Sequence, residues 1–477
     1  MSYAGNRGIR SALAVPADAT TVPKHNPKSD IRHPKSKGVL VKDVTYWNER
    51  RETMEREALE ALQLEGLRQA IDRALHTAFY RDRLRKAGIT AASDIKTLDD
   101  VRRIPFTTKD DLREAYPNGL LAVEPGEVIR LHTSSGTTGT PTVIYHTQND
   151  IDNWTELVAR CIVATGAGRG DVFQNMTTYG LFTGGLGLHY GAEKVGMLVI
   201  PASSGNTLRQ LKLMQDFGTT VVHATPSYLL HISTVVKDQD IPRDALSIRR
   251  AFLGAEPYSE STRCKIEQLW DIDVYNSYGL SEMNGPGVSF ECVHKLGMHT
   301  WEDSYLMEIV DCDSLEPLPD GDEGEIVFTT LQREATPLLR YRTRDLSSVV
   351  PGPCPCGRTH RRLSRIMGRS DDMLIINGVN VFPSQIETVL MGLKGVGTNY
   401  RIVIEKRGNL DRLRVDVEMS PEMFTDDVLE LNHMRDRIEQ DLKASILVNP
   451  AVKLHEPGVL PVSEGKAVRV VDNRPRD

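Results

Sequence analysis

Seven of the ten residues from Thr133 to Thr142 carry a side-chain hydroxyl, and two more are glycine. Gly136 and Gly139 lack a Cβ, so successive backbone N–H groups there can converge on one point. The hydroxyls of Ser134, Ser135, Thr137 and Thr138 add donors that do not repel one another. Such a stretch suits a polyanion, which in a cell means phosphate. It is not a Walker A loop, because no G-x-x-x-x-G-K-[ST] pattern is present and no Lys follows the second glycine. Four further stretches are rich in small, polar or aromatic residues: Thr177-Thr178-Tyr179-Gly180, Ala224-Thr225-Pro226, Gly254-Ala255-Glu256-Pro257 and Ser277-Tyr278-Gly279-Leu280-Ser281-Glu282. That composition fits a nucleotide beside a small organic ligand.

These stretches fall where strands end. Apolar runs at Val172-Phe173, Met197–Ile200, Thr220–His223, Arg250–Leu253 and Val274-Tyr275 read as strands. The intervening segments Gly184–Gly196, Leu208–Phe217, Tyr228–Val236 and Thr262–Trp270 read as helices. Alternation at this pace predicts a parallel sheet covered on both faces, with ligands at the carboxyl ends of its strands. The hydroxyl-rich stretch lies between two strand-like segments, 128–131 and 143–145. Upstream, Leu59, Leu62, Leu67, Ile71, Ala74, Leu75 and Phe79 predict one helical face, and Thr107–Asp111 a capped helix start. Beyond residue 300, Tyr305–Val310 and Gly324–Val327-Phe328 predict antiparallel strands of a β subdomain at about 301–370. Residues 371–477 read as a separate domain with a hairpin over 401–417 and a helix from Val428 to Leu447. Residues 1–40 read as a poorly ordered polar arm.

The chain has 477 residues, 40% of them hydrophobic, enough for several cores. A net charge of −7 argues against nucleic acid. No apolar run approaches the ~18 residues of a membrane span, and no signal core is evident. Six cysteines in so long a chain fit a reducing cytoplasm rather than a disulfide framework.

Six motifs recur in order at suitable intervals: the 133–142 loop, Gly254–Pro257, Tyr278–Glu282, Tyr341–Asp345, Gly368–Asp372 and Gly465-Lys466. Together they resemble the adenylate-forming acyl-CoA synthetases. Gly180–Gly187, Gly285–Val288 and Gly378–Pro383 resemble the phenylacetate–CoA ligase branch. The resemblance implies a large α/β domain of doubly wound mixed sheets, with its β subdomain, over 41–370. A small α+β C-terminal domain would follow on a hinge at Asp371. It implies activation of an aromatic acid by ATP and Mg²⁺ to an acyl-adenylate and pyrophosphate, then transfer to the CoA thiol. Joining two anions, carboxylate and α-phosphate, requires positive charge and N–H dipoles between them.

In that scheme Ser134, Ser135, Gly136, Thr137, Thr138 and Gly139 cradle the phosphates, with Thr140 standing where relatives often have Lys. Glu282 holds Mg²⁺, and Lys466 bridges carboxylate and α-phosphate. Tyr278 and Glu256 border adenine, Gly279 admits the nucleotide, and Asp345 and Arg369 hold the ribose. Gly378 faces CoA in the second step. Tyr179, Gly180, Phe182, Gly254, Ala255 and Pro286 are expected around the acyl group, with His189 and His223 packed rather than catalytic. Cys292, His299, Cys354 and Cys356 resemble the ligands of a structural zinc in zinc-bearing members, with His294 or His360 as alternatives to His299. That zinc would tie the loop after Glu282 to the β subdomain. Two other readings fit the motifs: AMP transfer to a deazaflavin-type cofactor, and an inactive nucleotide- or zinc-binding regulator. Membrane partners are not expected, and a homodimer is left open.

Overall fold

In a computed structural model, residues 44–134, 140–407, 410–425, 427–461 and 467–474 are described. The arm, Ser135–Gly139 and Lys466 lie outside the described residues.

The first long helix, Arg56–Leu75, buries Leu59, Leu67, Ile71 and Ala74. The apolar face does not continue to Phe79 on the same helix. Thr77 caps a second helix, Ala78–Lys86, its hydroxyl accepting from the Tyr80 N–H at 3.0 Å. A cap takes up an orphan N–H, so it starts a helix where periodicity alone would run on. The same logic holds at Thr108, whose side chain and that of Asp111 close a capping box on Lys109–Glu114.

Strands β1 (Arg130–Thr133) and β2 (Val143–His146) pair antiparallel, with the hydroxyl-rich stretch as their connection. The large sheet then forms from β3 (Val172–Asn175), β4 (Leu198–Ile200), β5 (Val221–Ala224), β6 (Arg250–Leu253) and β7 (Asp273–Leu280), all parallel. Every β5 residue is buried, as expected of a strand with helices on both faces. The helices are Thr183–Val195, Thr207–Phe217, Pro226–Asp238 and Glu260–Trp270, close to the segments read from the sequence. Strands β8 (Gly285–Glu291) and β9 (Met298–Thr300) extend this sheet antiparallel.

The chain next builds a second sheet from β10 (Tyr305–Val310), β11 (Gly324–Thr330) and β12 (Tyr341–Ser347). It does not stay there through residue 370. Strands β13 (Val349–Val350) and β14 (Arg362–Leu363) return to the large sheet, giving the order β13-β14-β9-β8-β7-β6-β5-β3-β4. Then β15 (Gly368–Arg369) rejoins β12. So the two sheets are interleaved in sequence, a consequence of long-range pairing that local patterns do not encode.

A two-stranded ribbon, β16 (Leu374–Ile376) and β17 (Val379–Val381), precedes the last sheet. Its turn, Asn377-Gly378, has φ of +50° and +84°. Two positive values are what a two-residue I′ turn demands, which explains Asn-Gly there. Strands β18 (Val396–Arg407), β19 (Leu410–Met419), β20 (Ala451–His455) and β21 (Val470–Asp472) form the final sheet in the order β20-β19-β18-β21. Helix Val428–Ile446 covers it. This smaller C-terminal domain has its own apolar core, including Ile376, Val381, Ile386, Ile402, Val415, Ile438 and Leu442.

Candidate active site

A cleft of about 670 Å³ opens where the carboxyl ends of β6 and β7 meet β12 and β15. The sheet order brings together Phe182, Ala255, Glu256, Tyr278, Gly279 and Glu282 from the large sheet's loops. From the second sheet and its exit come Asp345, Arg369 and Asp371, and from the foot of the β1–β2 connection comes Ser134.

Glu282 sits in the tight turn between β7 and β8 and is nearly buried. Its Oε1 accepts from the Thr142 hydroxyl at 3.3 Å and lies 3.8 Å from the Lys109 ammonium. The Arg333 guanidinium donates to its backbone carbonyl at 2.5 Å, which fixes the turn from below. Asp345 Oδ2 accepts from the Tyr278 hydroxyl at 2.7 Å, and Oδ1 faces Arg369 Nη1 at 3.3 Å. Burial pushes the Asp345 carboxyl up to about 6, against the opposing pull of Arg369 and Tyr278. Burial and the same carboxylate hold the Tyr278 hydroxyl well above its ordinary value, so it stays a donor. Arg369 also clamps Asp371 with two bonds of 2.8 Å.

Glu256 reaches in two directions. One oxygen accepts from the Ser227 N–H at 2.7 Å, the other from the Ala467 N–H at 3.0 Å. Burial raises its carboxyl above the usual range while these N–H groups oppose the shift. It therefore fastens the C-terminal segment to the cleft wall.

Four expected acyl-pocket residues do not line this cleft. The Tyr179 hydroxyl is tied to Asn175 Nδ2 and His189 Nδ1, each at 3.1 Å. Gly254 is backed by the Ser277 carbonyl, 2.3 Å from where a Cβ would stand. Gly180 has φ +141° and open space around it, and the Pro286 carbonyl accepts from the Trp154 indole at 2.8 Å. Gly279 does line the cleft, but the demand for glycine comes from behind: a Cβ would lie 1.6 Å from the Gly285 carbonyl oxygen. Gly378 occupies the ribbon turn outside the cleft lining. His223 is packed as expected, its ring pushed down to about 3 by burial.

Lys109 and Arg365 also line the cleft and were given no role from the sequence, as does Tyr341, which opens one of the six motifs but was given no role of its own. Lys109 has the capping signal of its helix beside it, but nothing local says that the helix faces Glu282.

Beyond the end of β8 opposite the Glu282 turn, Cys292 gathers with His299, Cys354 and Cys356, all buried, their ligating atoms within 4.8 Å of one another. The Cys292 and Cys354 sulfurs are 3.7 Å apart, and Cys356 Sγ lies 3.3 Å from His299 Nε2. His299 Nδ1 faces the His360 carbonyl at 3.3 Å, which leaves Nε2 for the cluster. His360 itself is engaged by the Glu302 N–H and the Arg51 carbonyl, at 3.1 and 3.0 Å. The cluster does not reach the second sheet. It joins β8 and β9 to the β13–β14 turn, all parts of the large sheet, because β13 and β14 return there. Next to it, the Tyr46 hydroxyl donates to the Cys356 carbonyl at 2.6 Å, and Arg358 pairs with Glu52 at 2.7 Å, both side chains fully buried. Among the described residues, no helix is long and apolar enough to cross a membrane.

Comparison with known proteins agrees with this geometry. Residues 26–332 match the AMP-binding enzyme family and residues 378–474 the AMP-binding enzyme C-terminal domain. A phenylacetate–coenzyme A ligase of Thermus thermophilus is 46% identical, over 89% of this chain and 98% of its own length. One from Escherichia coli (strain K12) is 43% identical, over 89% and 97%. Among solved structures, 2-hydroxyisobutyryl-CoA ligase in the postadenylation state, bound to an acyl-AMP, superposes with a TM-score of 0.85 at 28% identity, covering 92% of this chain and 94% of the other. The same ligase in its thioesterification state gives 0.66 at 29% identity, over 90% and 92%. With motifs, fold and relatives in agreement over most of its length, the chain belongs to the AMP-binding enzyme family, among the AMP-forming CoA ligases of the phenylacetate–coenzyme A ligase group.

Proposed function

We propose that the protein activates an aromatic carboxylic acid, phenylacetate or a hydroxylated relative, with ATP and Mg²⁺ and then passes the acyl group to CoA. In the first step a carboxylate oxygen attacks the α-phosphorus, forming acyl-AMP and expelling pyrophosphate. In the second the CoA thiol attacks the acyl carbon, forming the thioester and expelling AMP.

The cleft supports the roles of Glu282, Asp345 and Arg369, and the motif resemblance supplies those of residues 135–139 and Lys466. Glu282 would offer Mg²⁺ one carboxylate, which suits an ion that takes few protein ligands beside phosphates. Asp345 presents two oxygens at the spacing of a ribose diol, with Arg369 beside it. The 135–139 backbone and hydroxyls take the phosphates. Lys466 supplies the compact cation that draws carboxylate and α-phosphate together. The observation that carries the assignment is the Ala467–Glu256 bond at 3.0 Å, because Ala467 directly follows Lys466 and Glu256 lines the cleft. The closer superposition on the postadenylation state supports the same pose. Asp371, held by Arg369, is the pivot on which the C-terminal domain would turn to bring the Gly378 ribbon to CoA.

The four-residue cluster fits zinc. Two Zn–S bonds of ~2.3 Å at the tetrahedral angle place the sulfurs ~3.8 Å apart, against 3.7 Å for Cys292 and Cys354. Three thiolates and one imidazole leave no open position, so the ion would be structural.

The test is ATP–pyrophosphate exchange with purified protein across a panel of aryl acids, followed by thioester analysis with CoA. Exchange that depends on an aryl acid, with thioester only when CoA is added, is expected. Exchange at background across the panel would refute the reading.

A further inference from the structure

We infer that Arg333 is a positioning residue for adenylation: from behind the β7–β8 turn it fixes where Glu282 presents its carboxylate to Mg²⁺. The inference rests on the magnesium role proposed for Glu282.

Arg333 lies in the connection from β11 to β12 and is 4% exposed. Two arms of its guanidinium reach a single turn. Nη1 donates to the Glu282 carbonyl at 2.5 Å, and Nη2 donates to the Asn284 side-chain oxygen. Between them, the Met283 carbonyl accepts from the Tyr305 hydroxyl at 3.0 Å, and that hydroxyl accepts from Asn284 Nδ2 at 3.3 Å. Residues 282 to 284 are thus each held by groups that do not line the cleft, while the Glu282 carboxylate does line it. Asn284 has φ +75°, the left-handed region that Asn tolerates better than most residues.

Arg333 is itself anchored. In the same connection the Glu334 and Ala335 N–H groups donate to the Asp150 carboxylate at 2.7 and 3.0 Å. The Thr336 hydroxyl accepts from the Tyr145 N–H of β2 at 3.0 Å, and the Gln332 amide donates to the Asp303 carbonyl at 2.7 Å. Asp150 belongs to helix Gln148–Ala164, which follows β2. The connection is therefore tied to β2 and its helix on one side and to the Glu282 turn on the other. It sets the spacing between them.

Packing alone does not call for an arginine here. Burial lowers the Arg333 pKa from its ordinary value, opposed by Tyr305, Asp150 and Glu282. A charge taken out of water is costly unless its geometry is excellent. The two acceptors in the turn are neutral oxygens, so the gain is one of shape. A guanidinium is a planar fork that holds two acceptors at once, which the point charge of Lys does not reproduce. Groups one step behind a metal ligand orient it, and losing one typically costs ~10–100-fold in metal affinity or activity.

The experiment compares wild type with Arg333→Lys, Asn284→Gly and Glu282→Gln. Binding of Mn²⁺–ATP, the probe for the magnesium complex, is read by electron paramagnetic resonance. The Mg²⁺ needed for half-maximal ATP–pyrophosphate exchange is measured alongside, as is thioester formation from supplied phenylacetyl-AMP and CoA. Arg333→Lys keeps the charge and loses the fork, so both metal readouts should weaken ~10–100-fold. Asn284→Gly suits the left-handed backbone and removes one acceptor, so both should weaken ~10-fold. Thioester formation involves no polyphosphate and should stay at the wild-type rate in both variants. If Arg333→Lys does not fold, Asn284→Gly decides. Unchanged metal readouts in Asn284→Gly, with Glu282→Gln impaired, would overturn the inference alone. So would equal losses in exchange and thioester formation, the mark of a purely structural role. A Glu282→Gln protein that binds Mn²⁺–ATP like wild type would overturn the magnesium assignment and this inference together.

Discussion

Gly279→Ala tests whether the backbone behind the cleft sets the position of Glu282. Gly279 lies in β7 between Tyr278, which bonds Asp345, and Leu280, which pairs with Gly285 at the start of β8. An added Cβ would lie 1.6 Å from the Gly285 carbonyl oxygen and 2.4 Å from its carbon. Both atoms are backbone, so no rotamer relieves the clash. Going from 1.6 Å to 3.0 Å, the floor for real Cβ contacts, requires the β7–β8 turn to open by about 1.4 Å. Glu282 sits in that turn. A misplacement of ~1 Å in a reacting constellation costs ~100-fold in rate, and overpacking costs ~1–3 kcal/mol in stability. Acid-dependent exchange should therefore fall about a hundredfold, with a lower urea midpoint. Gly168→Ala is the control, since a Cβ there meets nothing within 4 Å. A Gly279→Ala protein with wild-type exchange and midpoint would refute the reasoning.

Other outcomes follow from the same geometry. Metal analysis should find a single zinc ion per chain, lost in Cys356→Ser, with a stability decrease on the order of a few kcal/mol in urea unfolding; a metal-free wild type of full stability would contradict the assignment. Lys265, on helix Glu260–Trp270, donates to the Val396 and Gly397 carbonyls of the C-terminal domain at 3.0 and 2.9 Å. Lys265→Met should slow exchange several-fold and spare thioester formation from supplied acyl-AMP; equal losses in both would count against a latch. Desolvation pushes the Lys265 ammonium down to about 8 in this pose. A lysine whose value drops on docking releases its proton, so the docked pose gains as pH rises through about 8, and loses that gain in Lys265→Met. Asp345, pushed up to about 6, must be ionised to accept from the ribose. ATP affinity measured by calorimetry should fall as pH drops through about 6 and should be weak and flat in Asp345→Asn. Because that value is raised, Asp345 itself favours the fold at low pH, and this contribution is lost as pH rises through about 6. A profile in which affinity rose toward acid would exclude the role.

The amino-acid order alone determined what short-range physics controls. Alternating apolar runs set the strands and helices of the large sheet, side chains at Thr108 and Asp111 set a helix start, and Asn377-Gly378 set a ribbon turn, because each depends on residues within a few positions. The motif at 278–282 and Asp345 were singled out through the resemblance their motifs carry, and the fold brings both to the same cleft. Tertiary structure alone decided which distant residues meet. Glu256 and Ala467 are 211 positions apart, and Cys292 and Cys354 are 62 apart. Lys109 reaches Glu282 only because Thr107 is stitched to β12 while β7 and β8 present the carboxylate. The return of β13 and β14 to the large sheet, and the glycine demanded at 279 by a carbonyl behind it, have the same origin. Proximity across a sheet is set by strand order and register, and these emerge from burying the whole core at once rather than from any local stretch.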